Sequence, residues 1–333
     1  MKEIVVSGIR PTGKLHLGNY FGAVASFLKM QNEYSCFFFI ADIHSLTTHP
    51  VPLDLHNSVK QVLAEYLALG LDPEKCTLFV QSDVPQIAEL YTYMNMNAYK
   101  GELERSASFK EKIRTQPDNI NAGLLTYPVL MAADILIHKA NKVPVGKDQK
   151  QHLEMTRQFG NRFNRLYKVD YFPEPVAFSY SQELVKVPGL SGSGKMSKSN
   201  SETDAIFLAD SQDINQKKIM RAKTDSGPTE KNQKKPLEIQ NLFDLLKLVS
   251  PPDIVLQCEN DYNDCTIKYG DFKKTLAAEM EKFLKPIREK INENLKNDKL
   301  IANVAQTGAE KARESAQKTL KDVREIIGIR KFY

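Results

Sequence analysis

The sequence predicts an α/β fold, in which helices cover both faces of a mostly parallel sheet, followed by a region that is helical throughout. Over the first half of the 333-residue chain, short apolar runs alternate with longer stretches at helical spacing, which is typical of a parallel sheet. From residue 203 onward only helical spacing continues, as at Leu242, Leu245 and Val249. The length fits two domains rather than one.

The first predicted strand, Ile4–Val6, leads into a glycine-bearing loop and a helix start, which together read SGIRPTGKLHLGNY. A helix that starts after a strand directs backbone N–H groups toward an anion. His16 and Asn19 stand on either side of Gly18 at this point. The spacing is neither GxGxxG nor GxxxxGK[ST], so the loop alone predicts a generic anion or nucleotide site.

Two further strands are predicted at 36–41 and 78–81, and Asn57–Gly70 between them has the spacing of an amphipathic helix that ends at glycine. Asp42 and His44 come just after the apolar run 36–41. Ligands of parallel sheets collect beyond the carboxyl ends of the strands. We therefore expect these two side chains and the glycine loop to lie at one edge of the sheet.

Residues 85–115 are predicted to be helical, and the mostly apolar stretch 127–137 contains one carboxylate, Asp134. Burying a carboxylate is costly unless something hydrogen-bonds to it. From the residues alone, two interpretations stay open. Either backbone donors or an arginine satisfy Asp134, or the carboxylate forms the floor of a pocket and accepts a hydrogen bond from a ligand.

Residues 143–157 repeat the order of strand, glycine turn and polar helix start, and 176–180 is a further candidate strand. His152 and Glu154 have no second histidine three or four residues away, so no metal site is predicted. The four cysteines are scattered without a CxxC pair, which favours a reduced, cytoplasmic chain. No apolar stretch reaches the roughly 18–20 residues of a membrane helix, and we expect neither a membrane partner nor a signal peptide.

The net charge of +5 falls within residues 271–333, which carry 15 Lys and Arg against 10 Asp and Glu. Such a basic region suits contact with nucleic acid, although a solvated helical surface is the simpler interpretation. Residues 191–201, SGSGKMSKSNS, form a glycine- and serine-rich loop. Its two lysines, Lys195 and Lys198, are suited to closing over a polyphosphate. By composition alone, a solvated linker would be the better interpretation.

The sequences HLGN at 16–19 and KMSKS at 195–199 resemble the paired HIGH and KMSKS signatures of class I aminoacyl-tRNA synthetases. The segments GIRPTGKLHLGNY, GELERSASFKEK, AGLLTYPVLMAADIL and VPVGKDQKQHLEMTR further resemble the bacterial-type tryptophanyl-tRNA synthetases. The likeness covers nearly the whole chain and is thin after about residue 200. It implies a Rossmann-like, doubly wound catalytic domain of the HUP type at 1–203. It also implies a helical anticodon-recognition domain at 204–290 and C-terminal helices at 291–333 that pack back toward the catalytic domain.

The resemblance also implies an activity. ATP, with Mg²⁺, would activate L-tryptophan to Trp-AMP and release pyrophosphate, and the acyl group would then pass to the 2′-OH of the terminal adenosine of tRNA(Trp). The family is dimeric, so the resemblance implies a homodimer. Tyrosyl-tRNA synthetases share the fold and both signatures, so tyrosine activation stays the alternative. A small-molecule adenylyltransferase and a synthetase-like RNA-binding protein without activity are more distant alternatives.

By the same resemblance, the candidate site residues fall into three groups. The catalytic group is His16, Asn19, Lys195, Ser197 and Lys198. The ATP-binding group is Arg10, Pro11, Thr12, Gly18, Asn19, Gly146, Lys147, Asp148, Val187, Lys195, Met196, Ser197, Lys198 and Ser199. The tryptophan-binding group is Val6, His44, Tyr127, Met131, Asp134 and Gln149, with Asp134 as the acceptor for the indole N–H and Tyr127 and Gln149 at the amino group.

The chain departs from the family pattern at a few positions. Arg10 and Ser108 stand where many relatives carry glutamine, so no ligand role is assigned to Ser108. Some relatives hold an iron–sulfur cluster with four cysteines. Cys258 and Cys265 match two of these, whereas lysines (Lys235 and Lys268) occupy the approximate places of the others. We therefore expect no iron–sulfur cluster and no protein-bound metal.

Overall fold

The computed structural model describes residues 2–146, 149–178, 187–192, 194–196, 203–330 and 332. In this part of the chain, five parallel strands form one sheet in the order β3-β2-β1-β4-β5. The strands are β1 Ile4–Ile9, β2 Ser35–Ile40, β3 Thr77–Val80, β4 Lys142–Pro144 and β5 Val176–Phe178. The predicted α/β fold with a parallel sheet is confirmed.

The helices of the described residues alternate with the strands up to β5 and then continue alone. They are α1 Leu17–Asn19, α2 Ala25–Glu33, α3 Asp42–Ser45, α4 Pro52–Leu69, α5 Gln86–Asn95, α6 Lys100–Glu104, α7 Ala107–Thr115, α8 Ala122–Leu136, α9 Lys150–Tyr167, α10 Gln212–Arg221, α11 Leu237–Val249, α12 Pro252–Asn263, α13 Tyr269–Lys296 and α14 Asp298–Ile327. A π-helical turn, Tyr20–Val24, joins α1 to α2. None of these helices is both long and apolar enough to cross a membrane.

Two boundaries differ from the sequence-based expectation. The single helical stretch predicted at 85–115 is three helices, because the chain turns after Asn95 and again at Arg105. The helix predicted from Asn57 begins at Pro52. Proline is favoured in the first turn of a helix because its missing N–H is not needed there.

The sheet has a hydrophobic core on each face, because side chains alternate along the central strands. Phe38 of β2 packs on one face, in a core that continues into α11 and α13. Phe37 and Phe39 pack on the opposite face with α5, α8, α9 and the second half of α14. The core of the helical region is therefore continuous with one face of the sheet, and the three-domain division stays a proposal.

The strand order reverses between β1 and β4, since β2 and β3 lie on one side of β1 and β4 and β5 on the other. The loops that follow β1 and β4 diverge at such a point and leave a crevice beyond the strand ends. Residues 10–16, after β1, and residues 145 and 146, after β4, therefore flank this crevice. The predicted anion-binding loop occupies the place in the fold where nucleotides bind in doubly wound sheets.

The last helix, α14, packs against the edge strand β3. Gly308 permits this contact, because a Cβ atom there would lie 1.6 Å from the carbonyl oxygen of Leu78. Polar contacts continue along the helix: Lys311 Nζ donates to the Pro73 carbonyl at 3.0 Å, and Arg324 pairs with Glu89. A helix that covers a sheet edge also protects it from pairing with another strand.

His138 gives the fold a pH dependence that can be measured. Its ring is buried, stacks on Phe37 at 4.2 Å between centroids and bonds Ser315 of α14 through Nδ1. Burial lowers the pKa of His138 from 6.5 to about 3. The unfolded chain therefore takes up a proton below pH 6.5 that the folded chain does not, and folding stability falls as the pH falls through this window.

Between pH 7 and pH 5, the His138 imidazole should cost the protein about 2 kcal/mol of unfolding free energy. A His138→Phe variant keeps an aromatic ring against Phe37 and has no proton to take up, so its stability should fall by about 2 kcal/mol less over the same interval. Denaturant unfolding of both proteins at the two pH values measures the difference. An equal loss in both proteins would show that His138 titrates normally in the folded state.

Candidate active site

The first signature forms a capping box at the start of α1. The backbone N–H of Asn19 donates to His16 Nδ1 at 3.3 Å, and the backbone N–H of His16 donates to Asn19 Oδ1 at 3.0 Å. The Asn19 N–H also donates to the His16 carbonyl at 2.8 Å, so the two residues together cap the first turn of α1. The two residues predicted to act on phosphate therefore hold each other in place.

This capping fixes which atoms of the two side chains can donate. Because Nδ1 of His16 accepts a hydrogen bond, the ring proton of the neutral imidazole belongs on Nε2. Because Oδ1 of Asn19 accepts, its Nδ2 is left as the donor of the amide. The arrangement suits a site that supplies two N–H donors to an anion beyond the helix start.

The segment after the second signature pairs with the loop of the first. The Leu17 N–H donates to the Ile206 carbonyl at 3.0 Å, and the Leu208 N–H donates to the Leu15 carbonyl at 2.9 Å. Lys14 Nζ adds an ion pair to Asp210 at 2.9 Å. The fold therefore brings the segments beside the two signatures together, although 175 residues separate the signatures in the sequence.

Met196 of the KMSKS sequence lies directly against the first signature. Its side chain is buried, its N–H donates to the Val187 carbonyl at 2.8 Å, and its carbonyl oxygen lies 3.6 Å from where a Cβ of Gly18 would be. Lys195 forms an antiparallel bridge with Pro188 and has an exposed side chain. Lys147, Asp148, Ser197, Lys198 and Ser199, which were predicted as site residues, lie outside the described residues.

The predicted nucleotide contacts before the first signature lie at the carboxyl end of β1. Pro11 is buried and Thr12 is exposed, with its N–H donating to the Arg10 carbonyl at 2.9 Å. Arg10 Nη2 is 3.4 Å from Thr48 Oγ1, whereas its Nε is buried with no partner. Gly146, after β4, lines a cavity of about 90 Å³ between the π-helical turn and β5.

Asp134 lies at the centre of a second group of polar side chains. The carboxylate is 2% exposed. His44 Nε2 lies 2.8 Å from Oδ2, and Gln81 Nε2 donates to Oδ1 at 2.7 Å. Burial raises the pKa of Asp134, and the hydrogen bonds from His44 and Gln81 oppose this.

The contacts of Asp134 bear on whether backbone donors or an arginine satisfy it, or whether it accepts a hydrogen bond from a ligand. Its partners are side chains from the carboxyl ends of β2 and β3, and are neither backbone donors nor an arginine. Each carboxylate oxygen has two lone pairs, so accepting one bond at each oxygen leaves room for a further donor. His44 Nδ1 is buried without a hydrogen-bond partner. An orphaned polar atom beside a partly used acceptor suits a pocket completed by a ligand.

The other predicted pocket residues surround this pair. Tyr127, Met131 and Asp134 lie at i, i+4 and i+7, so they share one face of α8. The Tyr127 ring lies between His44, at 4.5 Å between centroids, and His152, at 5.5 Å. Two apolar residues were predicted as pocket walls. Met131 is half-buried on α8, and Val6 is buried on strand β1.

Gln149 is connected to the pocket through His152. Its Oε1 lies 2.8 Å from His152 Nδ1, and the other ring nitrogen lies 2.7 Å from Ser108 Oγ. His152 therefore orients the amide of Gln149. From the sequence it was considered only as a metal ligand, and that role was rejected. Ser108, to which no ligand role was assigned, contacts this histidine.

Two further residues of the site were not predicted. Gln81 is fully buried and donates to Asp134. The sequence could have indicated it, because Gln81 lies at the end of a predicted strand, as His44 lies just after another. Asp204 is also buried, with Oδ1 accepting from the Ser191 N–H at 2.6 Å and Oδ2 without a partner. Nothing in the sequence separates it from other acidic residues of the loop.

No group of three or more His, Cys, Asp and Glu side chains among the described residues could hold a metal ion. In the helical region, Cys258 is buried and Cys265 is exposed. The ammonium of Lys235 pairs with Glu259 at 2.5 Å and lies 4.6 Å from the centres of the Phe243 ring and a tyrosine ring. The Lys235 ammonium, on a side chain that is 11% exposed, thus already has an acidic partner and aromatic neighbours.

Comparison with known proteins shows which family the chain resembles over most of its length. A family model described as "tRNA synthetases class I (W and Y)" matches residues 2–285. A tryptophan–tRNA ligase of Porphyromonas gingivalis is 60% identical over 328 residues, which cover 98% of this chain and 100% of that protein. A tryptophan–tRNA ligase of Clostridium perfringens is 40% identical over 334 residues, with 98% of both chains covered.

Solved structures agree with these relatives. Tryptophanyl-tRNA synthetase from Campylobacter jejuni, complexed with ADP and tryptophan, aligns with a TM-score of 0.88 and 34% identity over 98% of this chain and 99% of that one. Tyrosyl-tRNA synthetase from Aeropyrum pernix aligns with a TM-score of 0.66 and 17% identity over 96% and 90% of the two chains. At that identity the second likeness shows the shared fold alone.

Proposed function

The chain belongs to the class I tRNA synthetases of the tryptophan and tyrosine type, and we propose that it joins L-tryptophan to tRNA(Trp) at the expense of ATP. In the first step, an oxygen of the tryptophan carboxylate bonds to the α-phosphorus of ATP and the bond to the β-phosphate oxygen breaks, which gives Trp-AMP and pyrophosphate. In the second step, a ribose hydroxyl of the terminal adenosine takes the acyl group and AMP leaves.

The observation that carries the choice of tryptophan is the buried carboxylate of Asp134. It is held by His44 and Gln81, and the Tyr127 ring lies beside that of His44. In this proposal Asp134 forms the floor of the tryptophan pocket. An indole presents one N–H on an apolar ring, and Asp134 would accept it. Gln149, oriented by His152, and Tyr127 would receive the substrate amino group. Tyrosine could also donate its hydroxyl to Asp134, but the relatives at 60% and 40% identity are both named for tryptophan.

The two signatures would act on the nucleotide. Negative charge spreads over the phosphate oxygens in the transition state of phosphoryl chemistry, so stabilising it is mostly a matter of placed donors. His16 Nε2 and Asn19 Nδ2 would donate to phosphate oxygens, and Gly18 would let the nucleoside lie against bare backbone. Lys195, with Lys198, would neutralise the β- and γ-phosphates when the loop closes.

The proposed reaction also involves a metal ion, a second subunit and the tRNA. Mg²⁺ would neutralise part of the polyphosphate charge and would be held mainly by phosphate oxygens and water, as is usual for this ion. A protein carboxylate cage is not needed for this, and the described residues contain no such cluster. The chain would act as a homodimer in the cytoplasm, with its helical region contacting the tRNA.

A substrate analogue tests the pocket. β-(3-Benzothienyl)alanine has nearly the shape of tryptophan, with sulfur in place of the indole N–H. A site built to accept that N–H rejects an analogue without it, so kcat/KM in ATP–pyrophosphate exchange should be at least about 100-fold lower for the analogue than for tryptophan. Equal values for the two substrates would show that Asp134 does not read the N–H.

Gly18→Ala tests the first signature. The added methyl group would lie 2.8 Å from Cε1 and 2.9 Å from Nδ1 of His16, so the ring has to turn and the capping bond from Asn19 is lost. We expect the kcat of exchange to fall at least about tenfold, the size of one lost transition-state interaction of about 1.4 kcal/mol. The melting temperature should change little, because the gain of about 1 kcal/mol from alanine in a helix offsets a capping bond of similar size.

The matched control is Gly270→Ala, where nothing lies within 4 Å of the added Cβ. It should retain the wild-type kcat. If Gly18→Ala keeps its activity as well, the position of the His16 ring is not critical to the reaction.

A further inference from the structure

Glu65 of α4 is a carboxylate that none of the roles above uses. Its side chain is 0% exposed, on a helix face that packs into the core. Oε2 accepts the backbone N–H of Leu15 at 2.9 Å, and Oε1 accepts from Gln61 Nε2 at 2.8 Å. Burying a carboxylate is expensive unless its bonds are good, so this one requires an explanation.

Its partner is a residue of the first signature loop. Leu15 immediately precedes His16, is 1% exposed, and lies in neither a helix nor a strand. Its N–H therefore has no regular backbone partner and no access to water. A bond to a carboxylate is shorter and stronger than one between neutral groups, so Glu65 supplies a firm acceptor where the chain provides no other.

Three consecutive N–H groups of this loop are held by three different parts of the molecule. Leu15 donates to Glu65, His16 donates to Asn19 Oδ1 at 3.0 Å, and Leu17 donates to the Ile206 carbonyl at 3.0 Å. The Leu15 carbonyl is also engaged, by the Leu208 N–H. The backbone on both sides of His16 is thus fixed, and Glu65 anchors it to α4.

We propose that Glu65 is a positioning residue for the activation step: through the N–H of Leu15 it sets the place of His16 at the start of α1. The inference rests on the proposed function, since His16 would act on the phosphates of ATP. Small displacements of a donor at a reacting phosphate lower the rate more than they weaken binding of the other substrate. The loss of Glu65 should therefore appear in kcat.

Three variants separate the role of the acceptor from that of the charge. Glu65→Met has similar length and no acceptor. Glu65→Asp keeps the charge but is one methylene shorter, so its oxygen no longer reaches Leu15. Glu65→Gln keeps an acceptor for Leu15, and its amide nitrogen can donate to Gln61 if that amide rotates.

In tryptophan-dependent ATP–pyrophosphate exchange, the Met and Asp variants should lose at least tenfold in kcat, with KM for tryptophan within threefold of wild type. The Gln variant should stay within threefold of wild-type kcat.

A control addresses the stability of α4 itself. Asn294→Ala removes the bond from Asn294 Nδ2 to the Ala64 carbonyl, 3.0 Å, on another side of the same helix. It should lower the melting temperature and keep kcat within twofold of wild type. The positioning role is overturned if the folded Met or Asp variant keeps its kcat, or if Asn294→Ala loses as much activity as they do. A wild-type protein without tryptophan-dependent exchange would instead overturn the proposed function.

Discussion

Replacing Lys195 by alanine should lower the kcat of tryptophan-dependent ATP–pyrophosphate exchange by about 100-fold or more, the loss typical of removing one donor that stabilises transition-state charge. KM for tryptophan should stay within threefold of wild type. Lys195 has an exposed side chain, next to the buried Met196 that packs on Gly18. Its ammonium would meet the phosphates mainly as their charge develops, so its removal costs rate rather than ground-state binding.

Lys318→Ala is the matched control, because this exposed lysine of α14 pairs only with Glu314 one turn away in the described contacts. Steady-state exchange with both substrates varied in turn separates the two constants. If Lys195→Ala raises KM for tryptophan by as much as it lowers kcat, the lysine serves uniform binding and the assigned clamp is wrong.

Replacing Asp134 by asparagine should raise KM for tryptophan by about 10- to 100-fold, within the range for a buried polar group that loses its partner. The amide has one oxygen in place of two. If that oxygen accepts from Gln81, the NH₂ group faces His44 Nε2, and His44 must change its tautomer. The one remaining oxygen then has to accept from both Gln81 and the indole N–H, and it no longer carries a charge. The ratio of kcat/KM for tryptophan to kcat/KM for β-(3-benzothienyl)alanine should therefore be smaller in this variant than in the wild type.

The control for this variant is Glu279→Gln, a buried carboxylate of the helical region that pairs with Lys282. It should change neither KM nor selectivity. An unchanged KM in Asp134→Asn would mean that Asp134 only joins His44 and Gln81, so that its role is structural.

The strands and the sheet were predictable because their signal is local. An apolar run such as 36–41 is typical of a strand covered on both faces, and β2 lies there. The contact of Gly308 with Leu78 was not predictable, because it joins residues 230 positions apart and glycine in a helix has no single meaning. The three helices between 86 and 115 were missed as separate elements because their turns carry no strong breaker residues.

From the sequence, candidate site residues can be proposed where they form a motif and not where they act alone. His16, Asn19 and Lys195 belong to spaced patterns whose residue types suit phosphate. Gln81 and Glu65 are single polar residues in apolar surroundings, and only the fold shows what each one contacts. Asp134 lies between these cases: its cost of burial signalled a partner, but the choice of His44 and Gln81 depends on how the strand ends meet.

Amino-acid-dependent ATP–pyrophosphate exchange, measured with each of the twenty standard amino acids, tests the central claim most directly. The two signatures predict that exchange occurs, and the pocket at Asp134 predicts that tryptophan alone supports it efficiently. Tyrosine and phenylalanine are the informative competitors, since the first could donate to Asp134 and the second could not. Exchange driven by tyrosine and not by tryptophan would contradict the account.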